Sequence, residues 1–160
     1  MLLWFIGASM AAVALVFRSA AVDFRLVALG SVLPMGEAAA GRPLILHTLL
    51  APTLVMAGIM LMARRRRLVQ RRWLGVAIGL FFHLVLDRTW ADTHLFWWPV
   101  DGAGFRSRRL PEFSSLPLVV LLELVGLALV VWFVRRFRLA EPARRAHFLT
   151  TGQVGRDLLS

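Results

Sequence analysis

Residues 73–100, WLGVAIGLFFHLVLDRTWADTHLFWWPV, restrict the folds open to this chain more than any other stretch. They begin as an apolar helix, yet His83 and Asp87 stand four residues apart and so share one helical face. Ionisable groups at membrane depth are costly, and they face a protein interior or a wet cavity. Trp90, Trp97 and Trp98, followed by Pro99, read as an interfacial aromatic belt and a helix stop. The rest of the chain then has to supply walls, partners or orientation for that stripe.

The apolar share of the chain, 59%, and a mean hydropathy of +0.71 exceed what a soluble domain carries. The excess is gathered in blocks of membrane-spanning length. The pattern predicts an all-α polytopic membrane protein with four transmembrane helices, at about residues 2–17, 43–63, 73–93 and 115–134. Residues 26–41 are apolar at first but interrupted by Gly30, Pro34, Gly36 and Gly41, and read as a re-entrant or interfacial segment. Pro52 should kink the second span, and Pro43 suits a first helical turn. Residues 2–17 lack a basic leader and a small-residue cleavage site, so they read as a retained first helix.

The strongest orientation signal is RRRRLVQRR at residues 64–72, with six arginines in nine residues. It predicts a cytoplasmic loop, and Arg135, Arg136 and Arg138 place the end of the fourth span on the same side. Four spans then leave both termini cytoplasmic, with residues 1–138 a transmembrane domain and 139–160 a basic, partly disordered or interfacial tail. Arg18, Arg25, Arg42 and residues 106–109 oppose this scheme, because it leaves them outside. All 19 basic residues are arginine, and Lys, Asn and Tyr are absent, which reads as codon bias from a GC-rich bacterial genome. The location expected is the bacterial inner membrane. The net charge of +10 reads as topology signals and contacts to anionic membrane lipids, not as a nucleic-acid surface. The absence of cysteine excludes disulfides, thiolate metal sites and cysteine nucleophiles.

Counting helical rise puts His47 about 6 Å, Asp87 roughly 5–9 Å and Glu123 about 12 Å inside the outer boundary, with His83 one turn deeper than Asp87. Three helices thus bring His47, His83, Asp87 and Glu123 to similar heights, and Glu37 stands within reach. Asp92, His94 and Asp101 fall at the mouth, His147 in the tail. Imidazoles with carboxylates suit zinc or a similar divalent ion such as manganese. The expected ligands are His47, His83 and Asp87, with Glu37 or Glu123 as a fourth ligand or general base. A bland reading stands beside this one: His83 as a hydrogen-bonding core residue, Asp87 paired with Arg88 or Arg42, and Glu123 bonded to a histidine. Met56, Met60 and Met62 read as apolar packing. Neither a phosphate-binding glycine loop nor a GxSxG elbow is present.

The segments GRPLILHTLLAP (41–52) and HLVLDRTWADTHLFWWPV (83–100) resemble a bacterial family of integral-membrane metal-dependent hydrolases, the group that includes the LexA-binding inner-membrane hydrolases. That family's pattern runs Leu-Pro-Asp-x-Asp, then His-Arg-x-x-Thr-His-Ser, then His-x-x-x-Asp and a Trp-Pro-like end. Here Leu33 and Pro34, Arg42 and His47, His83 and Asp87, and Trp98 and Pro99 follow that order. Met35 stands where the first aspartate would, Gly41 where the first histidine would, and Glu37 is the nearby carboxylate. The resemblance implies an integral-membrane fold and a divalent-metal hydrolase site. A lipid- or envelope-linked ester reached from the outer leaflet fits that geometry. Two other classes remain open: a non-catalytic membrane subunit or scaffold, with a membrane-protein partner or a second copy of itself, and a proton or ion path through Asp87, His83 and Glu123.

Overall fold

The computed structural model describes residues 1–39, 45–100 and 115–158. Gly41, Arg42, Pro43, Asp101 and the arginines of residues 106–109, on which parts of the sequence argument rest, lie outside them. Among the described residues the chain is all-helical, without a strand. Helix α1 is Leu2–Phe17, α2 Phe24–Val32, α3 Met35–Ala39, α4 Leu50–Met62 and α5 Arg67–Leu86. The short α6, Thr93–Phe96, is followed by α7, Leu116–Arg136, and α8, Pro142–Thr151.

Local chemistry sets these bounds. The Asp23 carboxylate caps α2 by accepting from the Arg25 N–H at 3.1 Å. Pro52 falls in the first turn of α4, where a missing N–H costs no intrahelical bond. The expected kink is therefore replaced by a helix start, prepared by a 3-10 turn at Ile45–His47. Helix α5 begins inside the arginine run and ends at Asp87, before Arg88 turns left-handed at φ 58°. Helix α8 closes at Gly152, whose φ of 72° is a conformation that favours glycine.

Helices α2 and α5 pack closely. A Cβ on Gly79 would collide with the Val27 carbonyl and the Ser31 N–H, and one on Gly30 with the Val76 carbonyl. Without side chains there, the two helices meet backbone to backbone, as small residues allow in membrane-type packing. They run in the same direction. Asp23 meets Arg72 at one end, and Ser31 meets His83 at the other. Helices α1 and α7 form a second parallel pair, in contact at Gly7 and Gly126. Phe24, Phe133, Phe137, Val13 and Val154 fill the core between the pairs.

Residues 24–39 form two short helices, α2 and α3, of which α2 packs against α5 within the bundle. The segment enters at the arginine end and emerges at the histidine end, where Glu37 bonds to Leu46 and His47. This extra crossing reverses the sense of α1 relative to the four-span scheme. Met1 and the last described residues lie at opposite ends: Met1 pairs with Glu123 on the histidine side of the bundle, whereas the Phe24 N–H donates to Gly152 at the arginine end. Residues 142–158 dock on that end, with Phe148 against Phe133 and Val154 buried. Arg18, Arg25, the 64–72 run, Arg135, Arg136, Arg138 and Arg144 all gather there. Arg88 stands at the other end.

Among the described residues two helices, α5 and α7, are long and apolar enough to cross a membrane. Only 11% of the apolar window of α7 is buried, so it is not the hidden core helix of a soluble domain. Leu118, Leu121, Leu124, Val125 and Val131 all lie exposed along it.

A buried ionic knot closes the arginine end. The Asp23 side chain is fully buried and accepts from Arg25 and from Arg72, each at 3.0 Å. Arg25 also donates to the Leu149 and Thr150 carbonyls, which ties α8 to the knot. Burial works to raise the pKa of Asp23, but the hydrogen bond and charge of Arg25, with the bond from Arg72, outweigh it and hold the carboxyl below its usual 3.8. A folded pKa below the unfolded one gives stability that is complete above the unfolded value and lost as pH falls through the folded value. The thermal midpoint of wild type should exceed that of Asp23→Asn by a constant margin above about pH 5, shrinking below about pH 4. Gly79→Ala should destabilise by about 1–3 kcal/mol through overpacking. Gly58→Ala, where a Cβ meets nothing within 4 Å, should be neutral or stabilise by up to about 1 kcal/mol. Thermal unfolding in detergent checks both.

Candidate metal centre

At the histidine end, α5 carries His83 into the interior, fully buried. A carbonyl oxygen only accepts, so His83 Nδ1 donates its proton to Ser31 O at 2.7 Å. In the neutral ring that leaves the lone pair on Nε2. Phe5 stacks on the imidazole at a centroid distance of 4.0 Å and fixes the ring plane. The Ser31 carbonyl reaches this point because of the glycine contact between α2 and α5.

His47 arrives on the 3-10 turn that precedes α4, and it too is fully buried. Its Nδ1 lies 3.0 Å from Glu37 Oε2, and the Leu46 N–H donates to both Glu37 oxygens at 3.1 Å. One carboxylate therefore holds the turn and the ring together. The two imidazoles meet edge to face with centroids 5.4 Å apart. His47 Nε2 is buried and has no hydrogen-bond partner among the described residues. Leaving such an atom unsatisfied costs about 1–3 kcal/mol, so it calls for a ligand.

Asp87 completes the group. As the C-cap of α5 its backbone N–H donates to the His83 carbonyl at 2.8 Å, which keeps both side chains on one face. Asp87 is 4% exposed, and Thr89 Oγ1 donates to its Oδ2 at 2.9 Å. One ligand atom from each of His47, His83 and Asp87 lies within 4.8 Å of the others. Two imidazoles and a carboxylate are the donor set of catalytic zinc sites that keep a position open. Each donor is also braced from behind, by Glu37, by the Ser31 carbonyl and by Thr89. Metal-binding histidines and carboxylates are held in this way. The residues fit a divalent ion.

The other expected residues are placed elsewhere. Glu37 stands behind His47 as its hydrogen-bond partner, so its geometry is that of an orienting group. Glu123 is bonded to the Met1 amine at 2.8 Å and the Leu3 N–H at 2.9 Å, outside the His47–His83–Asp87 group. Helix α1 stands between them, turning Phe5 toward His83 and Leu3 toward Glu123. Asp92 caps α6, accepting from the Leu95 N–H at 3.4 Å. His94 and His147 are exposed. Ser31, Thr89 and Phe5 escaped the sequence argument. Only Thr89 left a signal, a hydroxyl two residues after a carboxylate.

No protein-family model matches this chain, and no curated protein or solved structure does either.

Purified protein should take up zinc or manganese close to one per chain, and His83→Ala and Asp87→Ala should abolish it. Glu37→Gln should weaken affinity about 10–100-fold through loss of the brace, while Glu123→Gln leaves it unchanged. Elemental analysis and titration against a competing chelator measure this. Equal loss in Glu123→Gln would contradict the arrangement.

Proposed function

We propose that this chain is a multi-pass protein of the bacterial inner membrane whose His47, His83 and Asp87 bind a divalent ion, zinc or manganese, and that it hydrolyses an ester at the outer face. The observation that carries this reading is the braced donor set: three buried side chains of metal-ligating type, each hydrogen-bonded to a partner. A divalent ion there would supply Lewis acidity to polarise an acyl or phosphoryl oxygen. The protein's part is to hold and orient the three donors. His83 stays in the Nε2-accepting tautomer through Ser31, His47 is aimed by Glu37, and Asp87 is steadied by Thr89. A lipid- or envelope-linked substrate suits a site that shares its end of the bundle with the exposed Trp90 and Trp97. The resemblance to integral-membrane metal-dependent hydrolases points the same way.

Membrane orientation follows from the arginines. With the arginine end in the cytoplasm, Arg18, Arg25, the 64–72 run and Arg135–Arg138 all obey the positive-inside rule. The amino terminus then lies outside and residues 142–158 inside. The crossing by α2 and α3, with α1, α4, α5 and α7, gives an odd number of passages. This revises the assignment of both termini to the cytoplasm. The natural lack of cysteine makes the test direct. In intact cells an impermeant maleimide should label Thr93→Cys, and should label Ala146→Cys only after permeabilisation.

Complete burial of His47 and His83 favours a second reading, a non-catalytic member in which the ion clamps the 45–47 turn to α5. Protein reconstituted in liposomes should cleave an acyl- or phospho-ester, lose turnover on chelation, and regain it with zinc or manganese. Asp87→Asn should be inactive. Chelation that lowers the thermal midpoint, with no turnover on any ester, supports the clamp instead.

A further inference from the structure

The α4–α5 hairpin at the arginine end encloses a groove of about 500 Å3, lined by Ile59, Met62, Ala63, Arg66, Val69 and Trp73. Its walls are apolar except for Arg66. That residue sits at the tight turn, where its N–H donates to the Ala63 carbonyl at 2.8 Å. Met62 and Trp73 are exposed at its edges. Arg64, Arg65 and Arg67 flank the same rim and are exposed. The Asp23 knot uses Arg25 and Arg72, which lie on the α2 side of α5, so the rim arginines are not drawn into it.

We propose that this groove binds one anionic phospholipid, with a phosphate at Arg66 and the start of an acyl chain between α4 and α5. The chemistry is complementary at each level. A guanidinium grips a phosphate through paired hydrogen bonds. A tryptophan suits the region beneath the headgroups, and Trp73 stands about two helical turns, roughly 10 Å, from Arg66. The apolar walls begin on the bilayer side of Arg66. A basic rim on the cytoplasmic leaflet faces the leaflet that holds anionic lipid. The hydrolytic site is at the other end of the bundle, so this lipid is a bound partner and not the proposed substrate. The inference rests on membrane embedding and not on the metal centre.

The test is native mass spectrometry of the protein released from nanodiscs of equal phosphatidylglycerol and phosphatidylcholine. Wild type should retain one phosphatidylglycerol in preference. Arg66→Gln should reduce that preference about fivefold, the factor one arginine near an anionic surface contributes. Val69→Trp, which fills the groove, should remove the retained lipid while the thermal midpoint stays within a few degrees of wild type. Excess inorganic phosphate should not displace the lipid. Displacement by phosphate alone would mean a plain anion site and overturn the proposal, as would retention unchanged in both variants. Alkaline carbonate extraction separates the two premises. Release of wild type from membranes defeats embedding itself, whereas a membrane-retained protein with no lipid preference defeats only the groove.

Discussion

The backbone-to-backbone contact of α2 with α5 is the constraint on which the other features depend. Gly79 and Gly30 remove the side chains that would hold the helices apart. Once in register, α2 delivers a group at each end. Asp23 reaches Arg72 at one, and the Ser31 carbonyl reaches His83 at the other. The first closes the arginine end and captures α8 through Arg25. The second sets the tautomer of the histidine at the centre of the candidate site. A shift of α2 along α5 by one turn, about 5.4 Å, would break both together.

The candidate metal site is assembled from pieces that cannot form it alone. His83 and Asp87 come from one helix end. His47 comes from a turn that Glu37, on a separate short helix, fastens in place. Burial makes each bond matter more, because a buried polar atom without a partner is costly. It also excludes bulk water, which strengthens electrostatic interaction within the site. The braces behind the three donors are what separate this group from a chance meeting of polar residues.

Part of this was legible in the sequence. The limits of α1 follow from an apolar run that ends at Arg18. The shared face of His83 and Asp87 follows from their spacing, and counting rise brought His47 to their level. Height alone gives no direction around the bundle, and so Glu123 was grouped with residues from which α1 separates it. Gly30 and Pro34 read as breaks in a span. Pro34 does end α2, but Gly30 is a contact surface, and only the partner helix reveals that. With residues 24–39 running from the arginine end to the histidine end, Arg18 and Arg25, two of the arginines that opposed the four-span scheme, join the others. The brace on His83 is a backbone carbonyl, which no residue type announces. The position of Pro52 depended on where α4 begins, and the preceding turn decides that.

X-ray absorption at the zinc edge of zinc-loaded protein probes the centre most directly. Two imidazole nitrogens at about 2.0–2.1 Å, with multiple scattering from two rings, and a carboxylate oxygen at about 2.0–2.2 Å should account for the spectrum. A shell of light atoms without imidazole scattering, or with one ring only, would contradict a centre built from His47, His83 and Asp87.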